Sequence, residues 1–341
     1  MVRFGVVGAG WFASRRHLPE LAQHPEVELV ALCRRSPEPL RKLAEHFGVR
    51  QQYTDYQDML ARAELDAVLV CSTHDLHHEH AAAALQAGCH VLLEKPMAIT
   101  AADAADLVSR AEAAGKLLEV AYNPPFWKHT CYLRERLAAG DLGAVEAVDL
   151  RWTGDVQGVF GRDALPDNMP GVVAPTLFRG NVAANGGGHL IDSGSHQVCE
   201  AMWVTGEAMT SIAAQMDSVP DDMRFSLSFR LSGGGLGSIV SIGDSKLADR
   251  RTVNTYYGSE ATVVVRGMPF EVTWLRPRAE AEVVTEAAMP EAPQPVVAFV
   301  DALFGRAEPR CPGRDCVGYV AAIEAAYRAA ATGQTQNLGP Q

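Results

Sequence analysis

The chain opens on an apolar strand, Arg3-Phe4-Gly5-Val6-Val7, that runs directly into Gly8-Ala9-Gly10-Trp11-Phe12-Ala13. No other feature constrains the fold as tightly. In a G-x-G-x-x-A turn the first glycine permits the sharp exit from the strand. The second lets the backbone approach a ligand, and the small third residue lets the following helix pack on the strand. A helix starting here offers N–H groups and the positive end of its dipole to an anion. The segment therefore predicts a βαβ unit that holds a dinucleotide by its pyrophosphate, with Gly8, Gly10, Trp11 and Phe12 in contact.

The following hundred residues repeat the theme. Strands are expected at Val27–Cys33, Ala67–Cys71, Val91–Glu94 and Leu117–Ala121. Between them, Leu40, Leu43, Ala44 and Phe47 recur at helical spacing, and Ala81–Ala87 ends at Gly88. Thr100 with Asp103 resembles a capping box, opening a helix that stops at Gly115. Strand and helix in alternation predict a doubly wound parallel sheet, an α/β Rossmann domain over residues 1–121.

After Asn123-Pro124-Pro125 the pattern changes. One helix runs to about Gly140, and strands then dominate. Phe225, Leu227, Phe229 and Leu231 alternate with polar residues, as in a strand with one buried face. Val145–Trp152, Gly237–Ile242, Thr252–Tyr257, Ala261–Arg266 and Glu271–Leu275 read similarly. The expectation for residues 122–341 is an α+β domain with a large, mostly antiparallel open sheet, for substrate binding and oligomerisation. One helix is expected over about 188–204 and a last one over about 317–331. Gly154–Asn185 is rich in Gly and Pro with little periodicity, which predicts a functional loop.

Composition narrows the partners. A length of 341 residues allows two domains, and a net charge of -11 opposes nucleic acid or an anionic membrane surface. No run of about eighteen apolar residues suggests a membrane span, and the polar Ser14-Arg15-Arg16-His17 interrupts any secretory leader. The seven scattered cysteines read as reduced thiols of a cytoplasmic protein, with a metal or disulfide at Cys311 and Cys316 as a minor alternative. His17 and His24 read as structural or surface residues.

The second strand ends Ala31-Leu32-Cys33-Arg34-Arg35-Ser36. An acid at this position would accept hydrogen bonds from the adenosine ribose and select NAD. Two guanidinium groups and a hydroxyl suit a 2′-phosphate instead, unless the arginines merely face water. The favoured reading is NADP(H) over NAD(H), through Arg34, Arg35 and Ser36.

Two later motifs carry the chemistry. In an open α/β sheet, ligands lie beyond the carboxyl ends of the strands. The strand ending Leu93-Glu94-Lys95-Pro96 therefore aims Lys95 at the nicotinamide end of the cleft, with Glu94 able to orient cofactor or substrate. Gly186-Gly187-Gly188-His189-Leu190-Ile191-Asp192-Ser193-Gly194-Ser195-His196 places Asp192 and His196 four apart, on one face of a helix. Its glycines are expected to let the helix start approach a ligand closely.

Together the three motifs resemble the Gfo/Idh/MocA oxidoreductase family, over essentially the whole chain. Cys71-Ser72-Thr73-His74-Asp75-Leu76-His77 is similar to the family's segment over the nicotinamide, departing from its Thr-Pro-Asn pattern at Ser72-Thr73-His74. The resemblance implies cofactor contacts from Cys71, Ser72, Thr73, His74, His77, Glu94 and Lys95. It implies that Lys95 hydrogen-bonds the reacting oxygen, that Asp192 positions substrate, and that His196 is the general acid/base. It places Tyr122, Asn123, Phe178 and Arg179 at the substrate, with Trp152, Phe160 and Arg162 as weaker candidates. The chemistry agrees: imidazole titrates near working pH, and an ammonium stabilises alkoxide character.

The implied activity is hydride transfer between NADP(H) and a secondary alcohol or ketone of a sugar, deoxysugar or cyclitol. A homo-oligomer, dimer or tetramer, is the family expectation; the Phe225 row packs either on helices or on a partner copy. A closed-cycle enzyme that keeps its nucleotide, and a regulator that only senses it, are the alternatives. A metal-dependent hydrolase would use His77-His78-Glu79-His80 or His189, Asp192 and His196. No metal is expected, because neighbours on a helix point apart and the resemblance accounts for Asp192 and His196 without one.

Overall fold

The computed structural model describes residues 1–165, 171–247 and 251–339. The part of the Gly154–Asn185 loop at 166–170 lies outside them. The chain folds as two compact units. The first comprises Met1–Ala121, Val159–Asn185 and Pro293–Val317; the second comprises Tyr122–Gly158, Gly186–Ala292 and Gly318–Gln341.

The first unit is built on six parallel strands: β1 (Val2–Val7), β2 (Val27–Cys33), β3 (Gln51–Tyr53), β4 (Ala67–Val70), β5 (His90–Leu93) and β6 (Leu118–Val120). Their order is β3-β2-β1-β4-β5-β6, which is the doubly wound arrangement. β4 and β5 are buried throughout apart from His90, as strands covered on both faces must be. Two segments beyond Ala121, Val159–Asn185 and Pro293–Val317, belong to this unit. The helix Pro295–Leu303 had no sequence-based assignment, yet its Val296, Phe299 and Val300 are fully buried in the core formed by β1 and its neighbours. Phe299 meets Phe4 edge-on at 5.7 Å. Residues 293–317 therefore fold with the first unit and not with the second, because their apolar stripe completes its core.

The second unit carries nine strands: β7 (Val145–Thr153), β8 (Met209–Met216), β9 (Arg224–Leu231), β10 (Leu236–Ile242), β11 (Arg251–Gly258), β12 (Thr262–Gly267), β13 (Glu271–Leu275), β14 (Glu282–Thr285) and β15 (Gln336–Asn337). The order is β14-β13-β12-β11-β7-β10-β9-β8-β15, antiparallel except where β7 meets β10. The Phe225, Leu227, Phe229 and Leu231 row of β9 is buried within the chain. Among the described residues no helix is long and apolar enough to cross a membrane.

Two helical segments depart from α geometry. Ala13–His17, after the first glycine turn, and Leu190–Gly194, after the glycine triplet, are π-helical turns. The second corrects the expectation for Asp192 and His196. Asp192 lies in the π turn and His196 in the α-helix Ser195–Thr205 that follows, so α-helical spacing does not govern their relative direction.

Candidate active site

In the first unit, the glycine turn is fastened to the end of β2. The N–H groups of Gly8 and Ala9 both donate to the Cys33 carbonyl at 3.1 Å. Gly8 has φ +80°, and a Cβ there would stand 2.5 Å from the Ser72 nitrogen, so no other residue fits. Gly10 differs: an added Cβ would meet nothing nearer than the Arg34 guanidinium, at 3.4 Å. The turn is thus tight on its β4 side and open over Gly10. Arg34 Nη1 donates to the Ala9 carbonyl at 3.1 Å, so this arginine braces the turn itself. Arg35 and Ser36 are exposed beside it. Trp11 and Phe12 are half-buried, Phe12 meeting the His17 ring edge-on at 5.7 Å.

The ends of β4 and β5 form the next part of the same edge. Glu94 and Lys95 are 5% and 8% exposed, deep for charged residues. The Glu94 carboxylate accepts the Lys95 N–H at 3.1 Å and the His17 Nε2–H at 2.6 Å. Burial would raise the Glu94 carboxyl, but His17, Lys95 and Arg16 outweigh it and hold it below its ordinary value. His17 is the mirror case. Burial opposes its charge, yet Glu20 and Glu94 together leave the imidazole raised. Its Nδ1 lies 3.9 Å from Glu20, beyond a hydrogen bond, so Glu20 acts through charge. His17 thus forms a buried ion pair with the residue that precedes Lys95.

His77 fixes the other side of Lys95. Its Nδ1–H donates to the Pro96 carbonyl at 2.7 Å, and Nε2 stands 3.2 Å from the Ser72 carbonyl. Burial lowers its pKa to about 4, so the ring is neutral and its one N–H bonds the Pro96 carbonyl. The Lys95–Pro96 peptide is cis. Ser72 Oγ is paired with His80 Nδ1 at 3.0 Å, and Thr73 Oγ donates to Asp75. Cys71 is half-buried, and desolvation drives its thiol well up, toward the neutral form. His74 is buried, its Nδ1 bonded to the Asn185 carbonyl at 2.9 Å and its ring edge-on to Phe178 at 5.0 Å. Arg179 lies over the Phe178 ring at 4.7 Å. The loop pair Phe178-Arg179 therefore joins the His74 segment within the first unit. Phe160 is buried in that unit, with Arg162 over its ring at 5.9 Å.

The second unit holds the remaining candidates. The Asn123 N–H donates to His196 Nδ1 at 3.3 Å, and the Asn123 side-chain amide lies 3.2 Å from Nε2. Both Asn123 groups are donors and a neutral imidazole accepts at one nitrogen only, so one of the two contacts is a hydrogen bond at a time. Tyr122 is fully buried and backs the His196 ring edge-on at 6.2 Å, so it shapes the imidazole's surroundings from beneath. Asp192 is 3% exposed, and Ser193 Oγ donates to its Oδ2 at 3.2 Å. Further along the His196 helix, Glu200 accepts from Asn254 Nδ2 at 2.7 Å and from Tyr256 Oη at 2.9 Å, pinning the helix to β11. Desolvation raises that carboxyl to about 7. The Trp152 ring lies tilted beside buried His189 at 5.3 Å, and His189 Nε2 pairs with Ser241 Oγ at 2.9 Å.

The histidine tract disperses. His77 goes to backbone carbonyls, His78 to Asp106 at 2.7 Å and His80 to Ser72. Among the described residues no three His, Cys, Asp or Glu side chains are grouped to hold a metal. Sequence reasoning missed the role of His17. The usable signal is a histidine one turn past Ala13, on the helix face turned to the sheet.

Residues 2–122 match the family described as "Oxidoreductase family, NAD-binding Rossmann fold", and residues 131–264 match "GFO/IDH/MocA C-terminal domain". D-glucoside 3-dehydrogenase of Escherichia coli (strain K12) is 35% identical over 205 residues, 60% of this chain. That alignment spans 54% of the relative's length, about half of it. The dTDP-3,4-didehydro-2,6-dideoxy-alpha-D-glucose 3-reductase of Saccharopolyspora spinosa is 31% identical over 267 residues, covering 77% of this chain and 74% of that protein. The crystal structure of the WlbA dehydrogenase from Bordetella pertussis, in complex with NADH and UDP-GlcNAcA, aligns with a TM-score of 0.82 at 24% identity. It covers 100% of this chain and 99% of the other, a likeness of fold.

Proposed function

The chain belongs to the Gfo/Idh/MocA oxidoreductase family, and from that premise we propose that it exchanges hydride between NADP(H) and a secondary alcohol or ketone of a sugar, deoxysugar or cyclitol. One observation carries the reading most: a lysine is buried at the carboxyl edge of the parallel sheet, in the unit matched to an NAD-binding family. A buried ammonium at that edge stands where ligands of an open parallel sheet bind, beyond the carboxyl ends of the strands.

The residues present fit a dinucleotide. The open side of Gly10 leaves room for a diphosphate that a side chain would fill. Gly8, Gly10, Trp11 and Phe12 would hold that group, and Arg35 and Ser36 would meet a 2′-phosphate. Cys71, Ser72, Thr73, His74 and Glu94 would border the nicotinamide, which when bound supplies the hydride chemistry itself.

Lys95 would hold the reacting oxygen and stabilise its negative charge. His196 would give a proton to the reacting oxygen as the imidazolium in reduction and take the hydroxyl proton as the neutral imidazole in oxidation. Asp192, Asn123 and Arg179 would grip neighbouring hydroxyls. A second copy of the chain would cover the open sheet face, where Leu236, Val253, Tyr257, Leu275 and Val283 are exposed on one side.

The test is turnover followed by nicotinamide absorbance on a panel of sugars, cyclitols and nucleotide-linked ketosugars. Lys95→Ala and His196→Ala each lower kcat by roughly 10³-fold while nucleotide affinity stays near wild type. Full activity in either variant overturns the assignment. Product without net absorbance change identifies the closed-cycle alternative.

A further inference from the structure

The first four N–H groups of a helix have no partner inside it. Ahead of the π turn that carries Asp192 stand Gly186, Gly187 and Gly188, which have no side chain, and the N-cap residue His189, whose side chain makes no capping hydrogen bond. The fold closes these groups from elsewhere in the second unit. Asp222, fully buried between β8 and β9, accepts the His189 N–H on its main-chain oxygen at 2.7 Å and the Leu190 N–H on Oδ2 at 2.8 Å. Tyr327, on the helix Gly313–Thr332, donates its hydroxyl to Asp222 Oδ1 at 2.8 Å. The Tyr327 hydroxyl oxygen accepts the N–H of Gly188 at 3.1 Å and of Ile191 at 3.4 Å. One donor and two lone pairs are thereby all engaged.

This arrangement also accounts for the glycines. A Cβ on Gly188 would stand 2.2 Å from the Asp222 carbonyl oxygen. A Cβ on Gly187, which has φ +151°, would stand 2.4 Å from the Tyr327 hydroxyl. The glycines admit Asp222 and Tyr327, and the ligand approach expected of them from sequence is taken up by these two side chains.

We propose that Asp222 and Tyr327 are a positioning pair that sets the register of the π turn bearing Asp192 and, through it, the direction of His196. The proposal rests on the reading of Asp192 and His196 as catalytic residues. All four restrained N–H groups, from Gly188 to Ile191, fall immediately before Asp192, so the pair acts on that turn directly. A displacement near 1 Å at a reacting group costs about 10²-fold in rate.

Tyr327→Phe keeps the ring and removes the hydroxyl. The expected result is a kcat about 10²-fold below wild type with KM and nucleotide Kd little changed, and a shift of the His196 imidazole ¹⁵N resonances in the ligand-free protein. Asp222→Asn, which keeps one acceptor oxygen, gives a smaller change in the same direction and serves if Tyr327→Phe does not fold. Asp192→Asn and His196→Ala are measured alongside. If those two retain wild-type turnover, the catalytic reading itself fails. If they lose turnover while Tyr327→Phe and Asp222→Asn keep wild-type kcat and unmoved His196 resonances, the positioning role is overturned.

Discussion

The two π turns begin alike and finish differently. Each follows a glycine-rich segment, and each lies beside a buried carboxylate. After Gly8-Ala9-Gly10 the buried acid is Glu94, which takes its hydrogen bond from a side chain of the turn, His17, and the space over Gly10 stays open. After Gly186-Gly187-Gly188 the buried acid is Asp222, and it takes main-chain N–H groups of the helix start. One helix start is left open, as the proposed diphosphate would require; the other is filled by the protein's own anion-capable side chain. Glycine clusters before a helix therefore mean close approach, and what approaches is decided by the residue that folds over them.

The sharpest way to break this contrast is to add one methyl group at each turn. Gly188→Ala drives a Cβ into the Asp222 backbone, so it destabilises the protein by about 3 kcal/mol whether or not nucleotide is present. Gly10→Ala meets only the far end of Arg34, so stability in urea changes by less than about 1 kcal/mol. Its cost appears in nucleotide affinity, which falls about tenfold or more. Equal destabilisation by the two, or unchanged nucleotide binding in Gly10→Ala, removes the distinction.

A smaller effect tests the open turn alone. Arg34 braces Ala9, whereas Arg35 is exposed at the end of β2. Titration calorimetry with both nucleotides is expected to show Arg35→Ala weakening NADP about tenfold and leaving NAD unchanged. Arg34→Ala weakens both, through the turn. If Arg35→Ala moves NAD and NADP equally, the proposed preference for the phosphorylated nucleotide has no basis in this arginine.

What could be read in advance follows the same division. β1, β2, β4 and β5 were legible because continuous apolar runs between turn signals have few other solutions. β9 was legible from its strict alternation. β3, Gln51-Gln52-Tyr53, is a short edge strand with no buried residue, and β8 breaks its alternation at Ala213-Ala214. Neither shows a pattern that separates it from loop. Lys95, Asp192 and His196 stand out as candidates by motif, since the proposed chemistry fixes their types. Asp222, Tyr327 and His17 do not, because a positioning residue is defined by long-range contact. Tyr327 lies 139 residues from the Gly188 N–H it holds, and no local spacing records that distance.

Titration separates the two turns by the smallest effect. Desolvation raises buried Asp222 to about 7, from an ordinary value of about 4. The folded protein then binds a proton that the unfolded chain has already released, so stability is full below about pH 4 and is lost as pH climbs toward 7. His17 is also raised, burial being outweighed by Glu20 and Glu94, but its ordinary value is about 6.5. Its contribution is present below that pH and is lost as pH rises further, through the folded value. The second turn should therefore weaken in the acid window and the first in the alkaline one. Urea unfolding from pH 4 to pH 9 checks this. Asp222→Asn flattens the slope between about pH 4 and 7, while His17→Gln flattens it only above about 6.5. Glu200 and Glu119, likewise raised to about 7, keep part of the acid slope in both variants, so the reading lies in the difference from wild type. If both substitutions alter the same window, the buried charges of the two turns are not held by the separate partners described for them.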